Sequence, residues 1–136
     1  MEPLSQRLIN EIEGHLISCR SVEDIVHAVT ANHDLTTEDR ERVRRYATVC
    51  CHSMIGWARI EDGASMDDAI AAALADLDAG LHRDVYEFFI VGVAAQRIFQ
   101  LGGDIDFESA VIRVGNEMQL SPETLAKARD CAFDMT

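Results

Sequence analysis

The stretch VYEFFIVGVAAQRIFQL, residues 85–101, decides how this chain folds. It is apolar on nearly every side of a helix, and Glu87 and Arg97 are the charges inside it. A membrane-spanning helix needs about 20 predominantly apolar residues, so this shorter, charged stretch is a poor candidate. A helix without a polar face is instead surrounded by other helices or forms half of an interface between two copies of the chain. We therefore predict a central helix at 85–101, with a homodimer built on it as the alternative.

Outward from this helix, capping residues divide the chain into further helices and leave no convincing strand. A Ser, Thr or Asp that can accept a backbone hydrogen bond stands before most of them. These caps are Ser21, Thr36 or Thr37, Ser65, Asp106 and Ser121. The predicted helices cover residues 4–17, 21–31, 36–60, 66–77, 85–101, 106–118 and the chain beyond 121. The sequence thus predicts an all-α fold of about seven helices in a single domain, residues 1–136.

An internal repeat is visible in the helical segments, because residues 21–47 match 106–132 without gaps. The stretch that begins at Ser65 resembles the first half of the same unit. This spacing predicts three stacked helical hairpins around 85–101. The alternative is that any two capped amphipathic helices joined by a turn share such a pattern. The residues of the first unit that recur in the second are Glu23, Val26, Val29, Leu35, Glu38, Arg44 and Ala47.

The net charge limits the partners that the chain can attract. It carries 24 acidic and 12 basic residues, a formal net charge of −12. A field of that sign repels phosphate backbones and anionic lipids, so we expect no direct nucleic-acid binding and no membrane binding. A basic protein, such as a nucleic-acid-binding protein, would be attracted. The alternative is that the charge serves solubility alone.

The cysteines indicate a reducing compartment. None of the 4 cysteines forms a C-x-x-C pair, and the N-terminal segment does not resemble a signal peptide. We therefore expect a cytoplasmic protein with reduced thiols. Small buried core residues are the expected role of all of them, which are Cys19, Cys50, Cys51 and Cys131.

Acidic residues are concentrated between Glu61 and Glu108, where Arg83 and Arg97 are the only bases. Most of these acids fall at predicted helix starts and hairpin turns, so stacked hairpins would gather them near the ends of the units. Such a surface could dock a basic protein. The predicted acidic face consists of Glu61, Asp62, Asp67, Asp68, Asp76, Asp78, Asp84 and Glu87. On helix 36–60, by contrast, the spacing predicts the internal ion pairs Glu38–Arg42 and Glu41–Arg45.

Motifs that carry chemistry are scarce, so we expect no catalytic residue, no cofactor and no metal site. The chain has no glycine-rich phosphate loop, nucleophile elbow or zinc-type ligand spacing. The pair His33-Asp34 resembles the metal-binding dipeptide of the all-α HD phosphohydrolases, and Asp34 as a turn acid is the alternative. Glu11 and His15 share a helix face without a second such pair. The run Asp104-x-Asp106-x-Glu108 resembles the opening of a calcium loop, and helix capping by Asp106 is the favoured interpretation.

Two turns resemble those of the tellurite-resistance TerB family. Residues 60–68 (IEDGASMDD) contain an acidic Asp-Gly turn before a helix, and residues 116–123 (NEMQLSPE) contain a leucine and a Ser cap before the next. Where a second Asp-Gly turn would be expected, this chain has Gly102-Gly103-Asp104. The resemblance implies an all-α fold and a stress- or metal-responsive role. It further implies metal association through Asp62, Asp67 and Asp104.

Together these patterns favour a non-enzymatic acidic protein-binding module, such as an inhibitor, an immunity-type protein or an adaptor. Its partner would be a basic protein, for example a nucleic-acid-binding protein. The alternatives are a TerB-like stress- or metal-responsive domain and a small all-α metal-dependent hydrolase. A convergent set of catalytic side chains would distinguish the hydrolase from the binding module.

A metal titration tests the interpretation of the acidic runs as caps and surface charge. Calcium, magnesium or zinc in millimolar excess should leave the melting temperature nearly unchanged. A tight site would instead stabilise the fold by about 4 kcal/mol at a thousandfold excess over its dissociation constant. Stabilisation of that order by one metal would contradict the prediction and favour the TerB-like or hydrolase alternative.

Overall fold

The computed structural model describes residues 4–16, 18 and 21–136. In this part of the chain the fold is all-α, as predicted, with no strand. Its helices are α1 (Gln6–His15), α2 (Val22–Asn32), α3 (Thr37–Glu61), α4 (Met66–Leu74), α5 (His82–Leu101), α6 (Phe107–Glu117) and α7 (Pro122–Asp134), with a 3₁₀ turn at Ala79–Leu81. None of these helices is long and apolar enough to cross a bilayer.

The predicted caps are confirmed, because each accepts the backbone N–H three residues further on. These caps are Ser21, Thr36, Ser65, Asp106 and Ser121. Gly63 ends α3 in the left-handed region at φ 91°. There its N–H donates to the Ile60 carbonyl, and the next N–H, of Ala64, donates to Arg59.

The end of α4 differs from the prediction. The helix stops at Leu74 rather than Leu77, because Ala75 is extended and Asp76 has a positive φ of 58°. The chain then passes through the 3₁₀ turn and begins α5 at His82. The residues 75–78 therefore form a connection on the surface instead of a last helical turn.

α5 packs against α3, α4, α6 and α7. Its residues Val85, Phe89 and Val93 join a core shared with α3 and α4, while Ala94 and Ile98 join a core shared with α6 and α7. α3 has a similar double role, because it also closes the core beneath α1 and α2. The two long helices thus link four groups of buried side chains. One strip of α5 stays exposed, and it contains Tyr86, Gln96 and Phe99.

α3 and α5 approach each other closely at two glycines. A Cβ added to Gly92 would lie 2.3 Å from Cζ2 of Trp57, and one added to Gly56 would lie 2.8 Å from the Phe89 ring. The indole Nε1 of Trp57 donates a hydrogen bond to the Phe89 carbonyl at 3.0 Å. Each glycine on one helix therefore accommodates an aromatic ring from the other. Ser53, also buried, lies in the same contact and donates to the Val85 carbonyl.

Contacts at matching positions support the proposed repeat, although the repeat itself stays a prediction. Arg44 on α3 pairs with Glu23 on α2 at 2.9 Å, and Arg129 on α7 pairs with Glu108 on α6 at 2.6 Å. The sequence match places these two ion pairs at the same positions of their units. Buried residues also coincide: Ile25, Val26, Val29, Val43 and Ala47 match Ala110, Val111, Val114, Ala128 and Ala132.

Replacing Gly92 with alanine tests the contact between α3 and α5. The new methyl group cannot share the space of the Trp57 indole, so we expect a loss of about 1–3 kcal/mol of unfolding free energy. Urea unfolding monitored by the fluorescence of Trp57 measures it. Gly14→Ala is the control, since nothing lies within 4 Å of its added Cβ on α1. An unchanged urea midpoint for Gly92→Ala would contradict the close packing.

Candidate functional site

The predicted acidic face divides into two groups in the structure. Its first group lies on residues 61–78, where every acid is exposed and none makes an ion pair with a described residue. We call this group the 61–78 surface. Its members are Glu61, Asp62, Asp67, Asp68, Asp76 and Asp78.

α4 gives the 61–78 surface its form. Asp67 and Asp68 occupy the first turn, where the positive end of the helix dipole favours acids, and Ser65 caps that turn. Ala71 and Ala75 are exposed between the two acidic ends. With nine residues, α4 is about 13 Å long. The exposed side of α4 thus carries small side chains in the middle and carboxylates at both ends.

Two histidines fix the connection that follows α4. Nδ1–H of His52 on α3 donates a hydrogen bond to the Ala73 carbonyl at 2.9 Å, and Nε2–H of His82 at the start of α5 donates one to the Leu77 carbonyl at 3.0 Å. These bonds hold the backbone on both sides of Asp76. No sequence motif indicates this role, because each ring binds a single backbone carbonyl.

Asp84 and Glu87, the second group of the predicted face, lie elsewhere. Asp84 pairs with Arg45 of α3 at 2.6 Å, and Glu87 pairs with Lys127 of α7. Both acids line a groove to which no residue of the 61–78 surface contributes. The predicted face of eight acids therefore reduces to the 61–78 surface plus this separate, paired group.

The ion pairs of α3 also differ in part from the prediction. Glu38–Arg42 is present at 3.0 Å, as predicted. The prediction of a Glu41–Arg45 pair is wrong. Glu41 pairs with Arg44, and Arg45 pairs with an acid on α5. Spacing within one helix could not indicate a partner on another helix.

The remaining acid-rich run serves local structure. Asp106 caps α6, and the hydroxyl and backbone N–H of Ser109 both donate to it, which holds the Asp106 pKa below its usual range. Among the described residues, no three His, Cys, Asp or Glu side chains are placed together to hold a metal. Asp62, Asp67 and Asp104, which the TerB resemblance implies as metal ligands, belong to no such group.

Glu11 on α1 contacts two side chains at the end of α2. Its carboxylate accepts a hydrogen bond from Asn32 Nδ2 at 3.0 Å and contacts Nε2 of His33. The Asn32 bond and then the His33 bond hold the Glu11 pKa below its usual range, and the charge of His15 acts in the same direction. His33 thus contacts a carboxylate, while Asp34 is exposed. This contact joins α1 to the end of α2.

Neither Cys50 nor Cys131 is an activated nucleophile, because burial raises the pKa of each thiol. Cys50 is buried, as predicted, and burial raises its pKa to about 12. Cys51 is half-buried, whereas Cys131 is exposed, so the prediction of a core role for Cys131 is wrong. Cys19 lies outside the described residues. A thiol that stays protonated at neutral pH is a weak nucleophile.

Comparisons with known proteins add no relative. No protein-family model, no curated protein and no solved structure matches this chain. The TerB resemblance therefore stays a prediction, and function has to be inferred from the surfaces themselves.

The pH dependence of stability tests the Glu11 cluster. Because the folded-state pKa of Glu11 is lowered, its contribution is present above the usual carboxyl pKa and is lost as the pH falls through the folded-state value. Glu11→Gln should cost about 1 kcal/mol at neutral pH, and this difference from wild type should vanish in acid. Urea midpoints across the pH range measure it. Glu61→Gln is the control, and a cost of Glu11→Gln that persists unchanged in acid would contradict the assignment.

Proposed function

We propose that this chain is a non-enzymatic protein-binding module that docks its 61–78 surface on a basic protein partner. The observation that carries the proposal is a cluster of exposed acids without cation partners. Several acids elsewhere pair with cations, as Glu23, Glu87 and Glu108 do. The six acids of the 61–78 surface make no ion pair with the described residues.

Unpaired carboxylates at both ends of α4 leave their charge available to a partner. At about 0.1 M salt the Debye length is about 10 Å, so a surface of this size acts as one negative patch during an encounter. A basic partner is then steered toward it and approaches faster than a neutral one. Arg97, which lines cavities beside Glu61 and beside Asp67, pairs with neither acid.

The platform beneath the acids is well packed. Ala69 and Ala73 are fully buried where α4 meets α3 and α5, and His52 and His82 hold the following connection. A preorganised surface loses little conformational freedom when it binds. This rigidity suits an inhibitor, an immunity-type protein or an adaptor, which share the same docking chemistry.

The alternatives receive no specific support from the contacts. A hydrolase or a metal-responsive domain needs converging ligands or an activated nucleophile, and neither the Glu11–His33 contact nor the buried Cys50 supplies one. A cytoplasmic location is part of the proposal. It rests on the thiols of Cys50 and Cys131, which form no disulfide in the structure.

Charge reversal tests the docking surface. Affinity capture from the native host, followed by mass spectrometry, identifies the partner, and its association rate is then measured at low and high salt. Replacing four acids with lysine should slow association several-fold at low salt, and added salt should shrink the defect. Each reversal should change the unfolding free energy by about 0.5 kcal/mol or less. The four acids are Asp67, Asp68, Asp76 and Asp78.

A matched control changes the net charge equally on other surfaces. It reverses four exposed acids that make no ion pair with the described part of the chain, Asp34, Asp104, Glu123 and Asp134. Equal loss from both sets would mean that only the overall charge matters. No loss from the α4 set, with the fold intact, would move the binding surface elsewhere.

A further inference from the structure

A groove of about 610 Å³ lies between α1, α3, α5 and α7, apart from the 61–78 surface. Its floor is apolar and comes from the two long helices, with Tyr46 and Val49 on α3 and Phe88 and Val91 on α5. Leu4 extends the apolar lining on the side of α1. Ligand pockets of about 300–1,000 Å³ accept small organic molecules, so the groove has an adequate size.

Cations gather around this apolar floor although the protein as a whole is acidic. Arg42, Arg45 and Lys127 all line the groove. Arg45 pairs with Asp84, and Lys127 pairs with Glu87. All four side chains of these pairs are open to solvent, with exposed fractions between 38% and 61%. Exposed ion pairs contribute little net stability, so an acidic ligand can replace either carboxylate.

Arg42, in the wall of the groove, has a guanidinium nitrogen without a hydrogen-bond acceptor. Its two terminal nitrogens donate to Asp39 and Glu38, at 3.1 and 3.0 Å. Its Nε is the one buried side-chain nitrogen or oxygen among the described residues without a hydrogen-bond partner. Buried donors are nearly always satisfied, so this nitrogen is an exception among the side chains that line the groove.

We propose that this groove binds a free amphipathic anion, a molecule with one apolar chain and a carboxylate head, as in a fatty acid. The chain lies along Tyr46, Phe88 and Val91. The carboxylate lies at the rim, where it takes over Lys127 or Arg45 from its present partner. This ligand site is independent of the docking of a basic protein.

Trp57 provides the readout, because it is the only tryptophan and its ring centroid lies 5.7 Å from that of Phe88. Decanoate, decan-1-ol and decylammonium present the same chain with negative, neutral and positive heads. Fluorescence and calorimetric titration should show decanoate binding about tenfold more tightly than the alcohol, or better. Equal affinity for the alcohol, tighter binding of the cation, or no binding of decanoate would overturn the proposal.

Variants at the rim sharpen the test, because the two partners of each ion pair should act in opposite directions. Lys127→Gln and Arg45→Gln remove a cation and should weaken decanoate binding several-fold. Glu87→Gln and Asp84→Asn release the same cations and should tighten it. A merely structural ion pair would give losses of the same sign on both sides, which would overturn the proposal.

Two further variants distinguish binding in the groove from general effects of charge and of folding on decanoate affinity. Arg113→Gln removes a cation that pairs with Glu117 on α6, outside the groove, and should leave decanoate affinity unchanged. Val91→Phe fills the floor and should abolish binding while far-UV circular dichroism stays helical. Should Val91→Phe fail to fold, the opposite effects of the rim variants still decide the matter. Preference for vesicles of phosphatidylglycerol over free decanoate would replace the proposal with a membrane surface.

Discussion

The contact between α3 and α5 is the constraint on which the rest of the structure depends. Gly56 and Gly92 leave room for Phe89 and Trp57, so two long helices come close enough for an indole to bond a backbone carbonyl on the other helix. Each helix also belongs to a second core, α3 with α1 and α2, and α5 with α6 and α7. The contact therefore connects the two ends of the protein, and α4 reinforces it because it packs on both helices.

The same contact places both surfaces to which we assign binding. α4 packs on α3 and α5 through Ala69 and Ala73, so these two helices position the carboxylates at the ends of α4. The floor of the groove comes from the same two helices, where Val49 packs near Phe88 and the Phe88 ring lies beside Trp57. The packing of α3 on α5 thus positions both the 61–78 surface and the groove, which lie in different places.

Much of the fold could be predicted because its signals are local. A Ser or Asp cap bonds an N–H three residues away, so Ser65 and Asp106 identify helix starts without knowledge of any other helix. The end of α4 was harder to predict from the sequence, because the histidines that hold it, His52 and His82, lie on other helices. Gly56 and Gly92 look unfavourable inside helices, and their purpose depends on rings that lie more than thirty residues away along the chain.

The sequence by itself determined the helices, their caps and the excess of acids, because these follow from hydrogen bonds and charges close together in the chain. Only the tertiary structure decided which acids stay free. Asp84 and Glu87 belong to the same acidic run as Asp76 and Asp78, yet α5 turns the first two toward Arg45 and Lys127. Coulomb attraction depends on distance in space, and packing of α3 and α7 on α5 creates those short distances between residues about forty positions apart.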